Sequence, residues 1–552
     1  MDASDFQRHW RGRASFTIFD SGYGDGEQWR AVRQAWRDDP QRPARLHYIA
    51  LASSPLPGFR RIPQDDAALT LDLLNAPLDA ALAQLDAQLD LIWLHDIADQ
   101  GSGFGRALGR LAVPGAVLHA RGLTEAQARM LSSGAFDCTT AGDGALSAVF
   151  TTRKPPSPWA RKSEPRRRAI VLGAGLAGSA ACERLCARGW QVTLVERHSE
   201  AASEASGNRA GIFQPLLSVD DNVMTRLSRA AYSYALDYWE LLGGVGRTIE
   251  GAQCGVLKLS RNPEHAGVRQ NMAGEYPAHY AQWLGAHEAG ALAGVPAPGG
   301  AWLFPQAGWV RPASVCAAML RACGSALTSR FGVGSVTLAK EDGEWVARAA
   351  DGSIVAQAPV VIVASGTGAR ELAQTSALPL SAVRGQVTQV AAGELPSLPF
   401  VLCREAYLTP AIDGWHSLGA SYDDDADPAL RVSSQHENLE KIRSLLGNPC
   451  LATGAPLAGR VGFRCVAPDR LPLVGAVPET HAGARLERLR EVPRQDGLYG
   501  LLGYASRGLI WAPLAAELLA CQLDNEPLPL EAELVAALDP ARFLLRARRR
   551  RL

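Results

Sequence analysis

The stretch Arg168-Ala-Ile-Val-Leu-Gly-Ala-Gly-Leu-Ala-Gly178, continued to Glu196, constrains this chain more than any other. Ala169 to Leu172 is a short apolar run of the kind a buried parallel strand carries. Gly173, Gly175 and Gly178 follow in G-x-G-x-x-G spacing, and the pattern predicts a helix over 176–188 that Gly189 ends. Gln191-Val-Thr-Leu-Val-Glu196 reads as a second strand closing on an acid. Each part has a mechanical duty. Gly173 permits the tight turn, Gly175 lets the backbone approach a pyrophosphate, and Gly178 lets helix and strand pack closely. The helix N-terminus offers its spare N–H groups to the phosphates. Glu196 lies about 20 residues on, placed to accept hydrogen bonds from a ribose. A glycine triplet alone marks any glycine-rich turn. Strand, helix, second strand and terminal acid in register mark an adenine dinucleotide site.

A chain of 552 residues is too long for one core and predicts roughly two to four structural units. Apolar residues at 47% and charged residues at 20% suit a soluble globular protein. Lys+Arg 56 balances Asp+Glu 56, so net charge makes no argument for a polyanionic partner. The basic residues are nevertheless clustered, at Arg161-Lys162, Arg166 to Arg168, Arg542, Arg546 and Arg548 to Arg551. Such clusters either hold phosphates or form a solvated linker and tail. The ten cysteines show no C-x-x-C and no metal-ligand spacing, which reads as reduced thiols in a cytoplasmic protein with no metal. Met-Asp-Ala-Ser-Asp is no signal peptide, and no apolar run approaches the ~18 residues of a membrane span.

Residues 1–152 form a first unit, 153–167 a linker rich in proline and charge, and 168–552 the remainder. In the first unit, strand-like Phe16 to Asp20 runs into D-x-G-x-G-x-G at Asp20, Gly22, Gly24 and Gly26. That is a second glycine loop, of the kind methyltransferases use around S-adenosylmethionine. Leu46 to Leu51 and Leu89 to Leu94 read as further strands, and Phe136 to Thr151 as a hairpin. Strands alternating with helices make an α/β sheet. The second strand ends in Ala50-Leu-Ala-Ser-Ser54, with no acid for a ribose. The unit is therefore either a methyltransferase or a retained scaffold.

Beyond Glu196, the small residues Ser206, Gly207 and Gly211 suit a loop lying against a cofactor, with Asn208 as a donor to a phosphate or ring carbonyl. A helix is expected at 223–242 and β pieces at 254–259 and 332–338. Pro359 to Gly366 reads as a buried strand returning to the nucleotide sheet. Strand-like pieces at 379–387, 406–410, 418–422 and 462–475 suggest a mixed sheet forming a substrate domain. The glycine-rich strand and turn at 497–510 open a helix at about 512–523, aimed at the cofactor.

These residues carry a resemblance. Gly173-x-Gly175-x-x-Gly178, Glu196, Arg384-Gly-Gln386, Gly462-x-Arg464, Asp469 to Gly475 and Gly503-x-x-Ser506-Arg507-Gly508-Leu509 resemble the flavin-dependent amine oxidoreductases related to D-amino-acid and glycine oxidases. Ala205-Ser-Gly-Asn-Arg209, Gln214 to Ser218 and the glycine-loop unit fused ahead of them resemble, more narrowly, the bifunctional bacterial tRNA 5-methylaminomethyl-2-thiouridine biosynthesis proteins. Where that family has Phe-Glu after the second strand, this chain has Leu51-Ala52. Where it has an Asp-Gly-Phe loop, this chain has His95-Asp-Ile-Ala-Asp99, and the first unit starts short of the family's usual N-terminus.

The resemblance implies an N-terminal Rossmann-like methyltransferase-type domain, then a FAD-binding Rossmann-type domain with its mixed-sheet subdomain. It implies FAD and S-adenosylmethionine as cofactors, and tRNA as partner. The implied chemistry takes the carboxymethyl group from 5-carboxymethylaminomethyluridine at the wobble position, then methylates the exposed amine. Arg464 is the candidate carboxylate clamp, with Tyr407 and Tyr422 closing the pocket. Ser506, Arg507 and Gly508 would serve the pyrimidine end of the flavin, with Gly366 near it. Two rivals stay open: an oxidase of free glycine or sarcosine-type amino acids, and a non-catalytic FAD-containing RNA-binding protein.

Overall fold

The structure is a computed structural model that describes residues 3–549 except 96–99, 102, 122, 141–144, 153–162, 262–263, 265, 448–456 and 480–486. The chain forms two compact units, Met1–Pro165 with Leu518–Ala536, and Arg166–Glu517 with Ala537–Leu552. Most of the expected linker lies outside the described residues.

In the first unit a sheet runs Gly58–Pro63, Leu69–Asn75, Arg45–Leu51, Ser15–Asp20, Leu89–Leu94, Ala112–Ala120, Leu146–Phe150, Phe136–Thr140 in spatial order. Ser15–Asp20 is central and parallel to both neighbours, with Phe16 opposite Leu46 and Ile18 opposite Leu91. Alternate residues of the strand feed opposite faces of the sheet. Phe16 and Ile18 join Tyr48, Trp29, Trp36 and Trp93 in one core, while Phe19 joins Ile49, Ile92 and Leu118 in another. The expected hairpin is present as Phe136–Thr140 against Leu146–Phe150.

Gly58–Pro63 does not read as a buried strand because of Arg60 and Arg61. Arg61 is buried all the same, since its antiparallel partner is Asp72 and the two form an ion pair at 2.6 Å. The sequence also assigned everything beyond 168 to one domain. Leu518–Ala536 instead belongs with the first unit: Glu526 pairs with Arg45, and Leu528 N–H bonds the Asp86 carbonyl at 3.0 Å.

The second unit holds the nucleotide sheet, ordered Leu327–Arg330, Gln191–Val195, Arg168–Leu172, Val360–Val363, Arg494–Leu502, Leu473–Pro478. Val360–Val363 does return to the strand of the fingerprint, parallel and in register. A second, mixed sheet runs Gln282–Leu284, Ala301–Phe304, Val256–Leu259, Val401–Cys403, Tyr407–Leu408, Trp415–Gly419, Ser381–Ala391, Ala458–Val466.

Several boundaries differ from expectation. The piece expected at 418–422 is Trp415–Gly419, and 462–475 is split, Ala458–Val466 in the mixed sheet and Leu473–Pro478 in the nucleotide sheet. The piece at 332–338 is mostly not a strand. The N–H groups of Gly332, Val333 and Gly334 bond the carbonyls of His198, Glu196 and Arg197, so they cannot join a ladder, and the strand begins only at Thr337.

Candidate active site

The fingerprint folds as its spacing requires. Arg168–Leu172 and the helix Leu176–Cys186 flank Gly173, whose φ is 102°. A Cβ on Gly178 would overlap the Gly173 carbonyl oxygen, so only glycine lets the helix sit this close. Ser206 Oγ accepts the Leu176 N–H at 3.1 Å, tying the 203–208 loop to the start of that helix. Glu196 is buried, with Oε2 accepting the Ala174 N–H at 2.6 Å and Oε1 the His198 N–H at 2.9 Å. Each oxygen keeps lone-pair capacity toward the cavity it lines.

That cavity measures about 820 Å³ and runs from the glycine loop, past Ser206, Asn208 and Gly366, to the mixed sheet and to Ser506, Arg507 and Gly508. Gly207 lies behind its neighbours, where Arg460 crosses from the mixed sheet to bond the Ser203 carbonyl at 2.7 Å. Arg460 also reaches Asn208 Oδ1 at 3.4 Å, so the Asn208 oxygen is held by protein and its amide nitrogen is the group left to a ligand. Gln214 Oε1, Ser365 Oγ and Tyr504 Oη are buried on residues lining the cavity, with no protein hydrogen-bond partner. Buried polar atoms normally meet a partner in protein, water or ligand, and these three face a cavity wide enough for a ligand to supply it. A glycine-loop pyrophosphate site, a ribose acid and orphaned polar atoms along a long cavity fit FAD.

The far end of the cavity is cationic. Arg464 lies on Ala458–Val466, where its Nη1 donates to the carbonyls of Ser421 at 3.2 Å and Arg384 at 3.3 Å. A side chain on Gly385 would overlap the guanidinium, so glycine there lets Arg464 lie along the strand backbone. Among the described residues no carboxylate is within ion-pair distance of Arg464, so it is not a structural salt-bridge arginine. Tyr407 sits in the cavity wall, its phenol pushed up to about 12 by burial. Tyr422 stands at the rim, 64% exposed.

Arg507 follows the turn after Arg494–Leu502 and, among the described residues, also lacks an acidic partner; burial pulls its pKa down. Arg384, one of the residues carrying the resemblance, does not reach the cavity. It is fully buried and holds the 421–431 segment through Asp423 at 2.9 Å, Gln386 at 2.9 Å and the Ala429 carbonyl at 2.6 Å.

Sequence reasoning missed Lys258. It lies on Val256–Leu259, opposite Cys403, which is opposite Tyr407, and all three line the cavity. Burial and then Arg507 lower its ammonium pKa from the ordinary 10.5, and no carboxylate among the described residues neutralises it. The available signal was a lone cation inside the apolar run Val256-Leu-Lys-Leu259.

The basic clusters divide. Arg542 and Arg546 are taken up by Asp469 at 2.9 and 2.6 Å, and Arg166 and Arg168 pair with Glu344. Arg161, Lys162, Arg550 and Arg551 lie outside the described residues. Among the described residues no group of three or more His, Cys, Asp and Glu could hold a metal ion, and no helix is long and apolar enough to cross a membrane.

In the first unit, Asp20 is buried and accepts the Gly22 N–H at 2.9 Å and the Tyr48 hydroxyl at 2.5 Å. Gly24 and Gly26 take positive φ, 55° and 81°. Of the loop that follows Leu89–Leu94, residues 96–99 lie outside the described residues.

Residues 168–522 match the FAD dependent oxidoreductase family. Over nearly its whole length the chain is similar to a protein of Azoarcus sp. (strain BH72) named tRNA 5-methylaminomethyl-2-thiouridine biosynthesis bifunctional protein MnmC, 39% identical over 98% of this chain and 92% of that one. The protein of the same name in Burkholderia thailandensis is 37% identical over 99% of this chain and 93% of its own. Among solved structures, glycine oxidase from Geobacillus kaustophilus shares the fold with a TM-score of 0.56 at 22% identity, covering 68% of this chain and 98% of its own. Iminodiacetate oxidase from Chelativorans sp. BNC1 shares it at 0.54 and 24% identity, covering 65% and 96%.

Proposed function

Since the chain belongs to the bifunctional tRNA 5-methylaminomethyl-2-thiouridine biosynthesis family and, through residues 168–522, to the FAD-dependent oxidoreductases, we propose that it acts on the wobble uridine of tRNA, removing the carboxymethyl group of 5-carboxymethylaminomethyl-(2-thio)uridine by oxidation. The overall change is R–NH–CH2–COO⁻ plus water and an electron acceptor, giving R–NH2, glyoxylate and the reduced acceptor. Bound FAD supplies the two-electron oxidation of the CH2–N unit.

The chain's own residues supply binding, orientation and field. Gly173, Gly175 and the helix N-terminus at Leu176 hold the pyrophosphate, and Glu196 the ribose. Arg464 holds the substrate carboxylate. Its planar fork matches two oxygens, and it brings no competing acid of its own. The reacting amine must be neutral for its lone pair to be available. Lys258 and Arg507, cations without acidic partners in one cavity, create a positive potential that lowers an ammonium pKa there. Tyr407 closes the wall beside them.

The observation that carries this reading is the Arg464 guanidinium, free of carboxylates, in the same cavity as the dinucleotide loop. A tRNA substrate carries with it a cytoplasmic location.

The test is purified chain with tRNA bearing the carboxymethylaminomethyl group, read by mass spectrometry of its nucleosides. The expected product is 5-aminomethyluridine with an equivalent of glyoxylate. An unchanged nucleoside, with turnover of free glycine or sarcosine instead, overturns the proposal.

A further inference from the structure

One polypeptide carries two glycine loops, each between a parallel strand and a helix, and they end differently. In the second unit the adjacent strand closes on Glu196, whose carboxylate lines an open cavity. In the first unit the corresponding strand, Arg45–Leu51, closes on Leu51-Ala52-Ser53-Ser54, and no carboxylate there can accept both hydroxyls of a ribose. The acid on the next strand over, Asp72, is buried and bidentate to Arg61 at 2.6 and 2.8 Å.

The loop's own acid is committed as well. Asp20 has no exposed surface; one oxygen takes the Gly22 N–H and stands 3.3 Å from His95 Nε2, and the other takes the Tyr48 hydroxyl. Tyr48 in turn packs between Trp29 and Trp93, at 5.3 and 6.4 Å between ring centroids. Asp20 is therefore part of a core, with no face toward the ammonium group of an amino-acid ligand.

Part of the loop backbone is committed as well. In open α/β sheets a nucleotide lies in the crevice beyond the carboxyl ends of the strands. Here Tyr23 N–H bonds Leu51 O at 2.8 Å and Ser21 N–H bonds Trp93 O at 2.9 Å, so the loop is stitched to the strands on both sides of its own. Gly26 N–H goes to Tyr23 O at 2.9 Å, and the Tyr23 hydroxyl lies 2.7 Å from where a Cβ on Gly26 would be. The space that glycine leaves is filled by the chain's own phenol.

The described residues do not fit S-adenosylmethionine. We propose that the first unit binds no S-adenosylmethionine, that the chain stops at the primary amine, and that a separate methyltransferase consumes this product. That step is R–CH2–NH2 plus a methylsulfonium donor, giving R–CH2–NH–CH3, the thioether and a proton. The identity of the amine rests on the oxidoreductase reading above; the misfit of the first unit to S-adenosylmethionine does not.

The test uses the full-length holoprotein with two tRNAs, one bearing 5-carboxymethylaminomethyluridine and one already bearing 5-aminomethyluridine, each with methyl-tritiated S-adenosylmethionine. No label above that of unmodified tRNA is expected in either, together with no saturable binding of S-adenosylmethionine in equilibrium dialysis. The first tRNA accumulates the primary amine, which a separately added wobble-uridine methyltransferase then labels. Label transferred to the second tRNA by the chain alone, or saturable binding, overturns the proposal. Because the second tRNA bypasses oxidation, failure of the oxidative step leaves this outcome readable.

Discussion

The guanidinium of Arg464 lies 4.2 Å from the centroid of the Tyr422 ring, so one face of that ring is covered by the arginine and the other meets solvent at the cavity rim. Single-stranded RNA is gripped by such free aromatic faces, at about 1–3 kcal/mol per stacked base. Tyr422→Ala is expected to raise KM for the modified tRNA about tenfold. Tyr422→Phe, which keeps the ring, should stay within about twofold of the parent. Equal losses in both variants would assign the effect to the hydroxyl and remove the stacking argument.

Removing the clamp should separate binding of flavin from turnover. Arg464→Ala leaves the glycine loop and Glu196 untouched, so the purified variant should keep its flavin absorbance. A charged partner lost from a mostly enclosed site costs about 2–5 kcal/mol, and kcat/KM for the carboxymethylaminomethyl substrate should fall by roughly 30- to 5,000-fold. Near-parental turnover would show that another group holds the carboxylate.

Glu196 should matter to the cofactor even before any ribose is considered. Its Oε2 satisfies the buried Ala174 N–H in the turn that faces the pyrophosphate. Glu196→Ala leaves that donor without a partner, a cost of about 1–3 kcal/mol, and also removes the acceptor for the ribose. Flavin affinity, read by fluorescence titration of the apoprotein, should weaken at least about tenfold. Undiminished flavin content after purification would contradict the assignment.

Lys258 predicts a pH dependence with a definite sign. Burial holds its folded-state pKa below the ordinary 10.5. Between the two values the unfolded chain binds the extra proton, so stability rises with pH through that window. Tyr407, raised to about 12, pulls the other way only above its unfolded value near 10. The apoprotein's Tm, compared with that of Lys258→Met between pH 7 and about 9.5, should therefore rise relative to the variant as pH increases. At pH 7, Lys258→Met should be the more stable, because it removes a buried cation that lacks an acid. A constant difference in Tm across that range would mean that the ammonium is effectively solvated.

Where chain neighbours make the site, the residues announced it. The nucleotide strand, its three glycines, the helix and Glu196 lie within one stretch, and each is demanded by the local geometry of a tight turn beside a helix N-terminus. The loop at Ser206 and the turn before Gly508 follow the same logic, since small residues are what close backbone approach selects. The missing acid after Leu51 was equally visible, because an absence at a set distance from a glycine loop is also local.

Nothing local distinguishes the cations. Lys258, Arg464, Arg61 and Arg384 look alike in a row of letters, and their roles come from what sheet pairing sets opposite them. Arg61 meets Asp72 and becomes structural; Arg384 meets Asp423 and becomes a brace. Arg464 and Lys258 meet no acid among the described residues and remain available to a ligand. Thus the sequence by itself determined where a dinucleotide is gripped, because that grip is backbone geometry written in consecutive residues. Only the tertiary structure decided which charges face the cavity and that Tyr23 packs into the space beside Gly26, because burial and pairing depend on strands far apart in the chain.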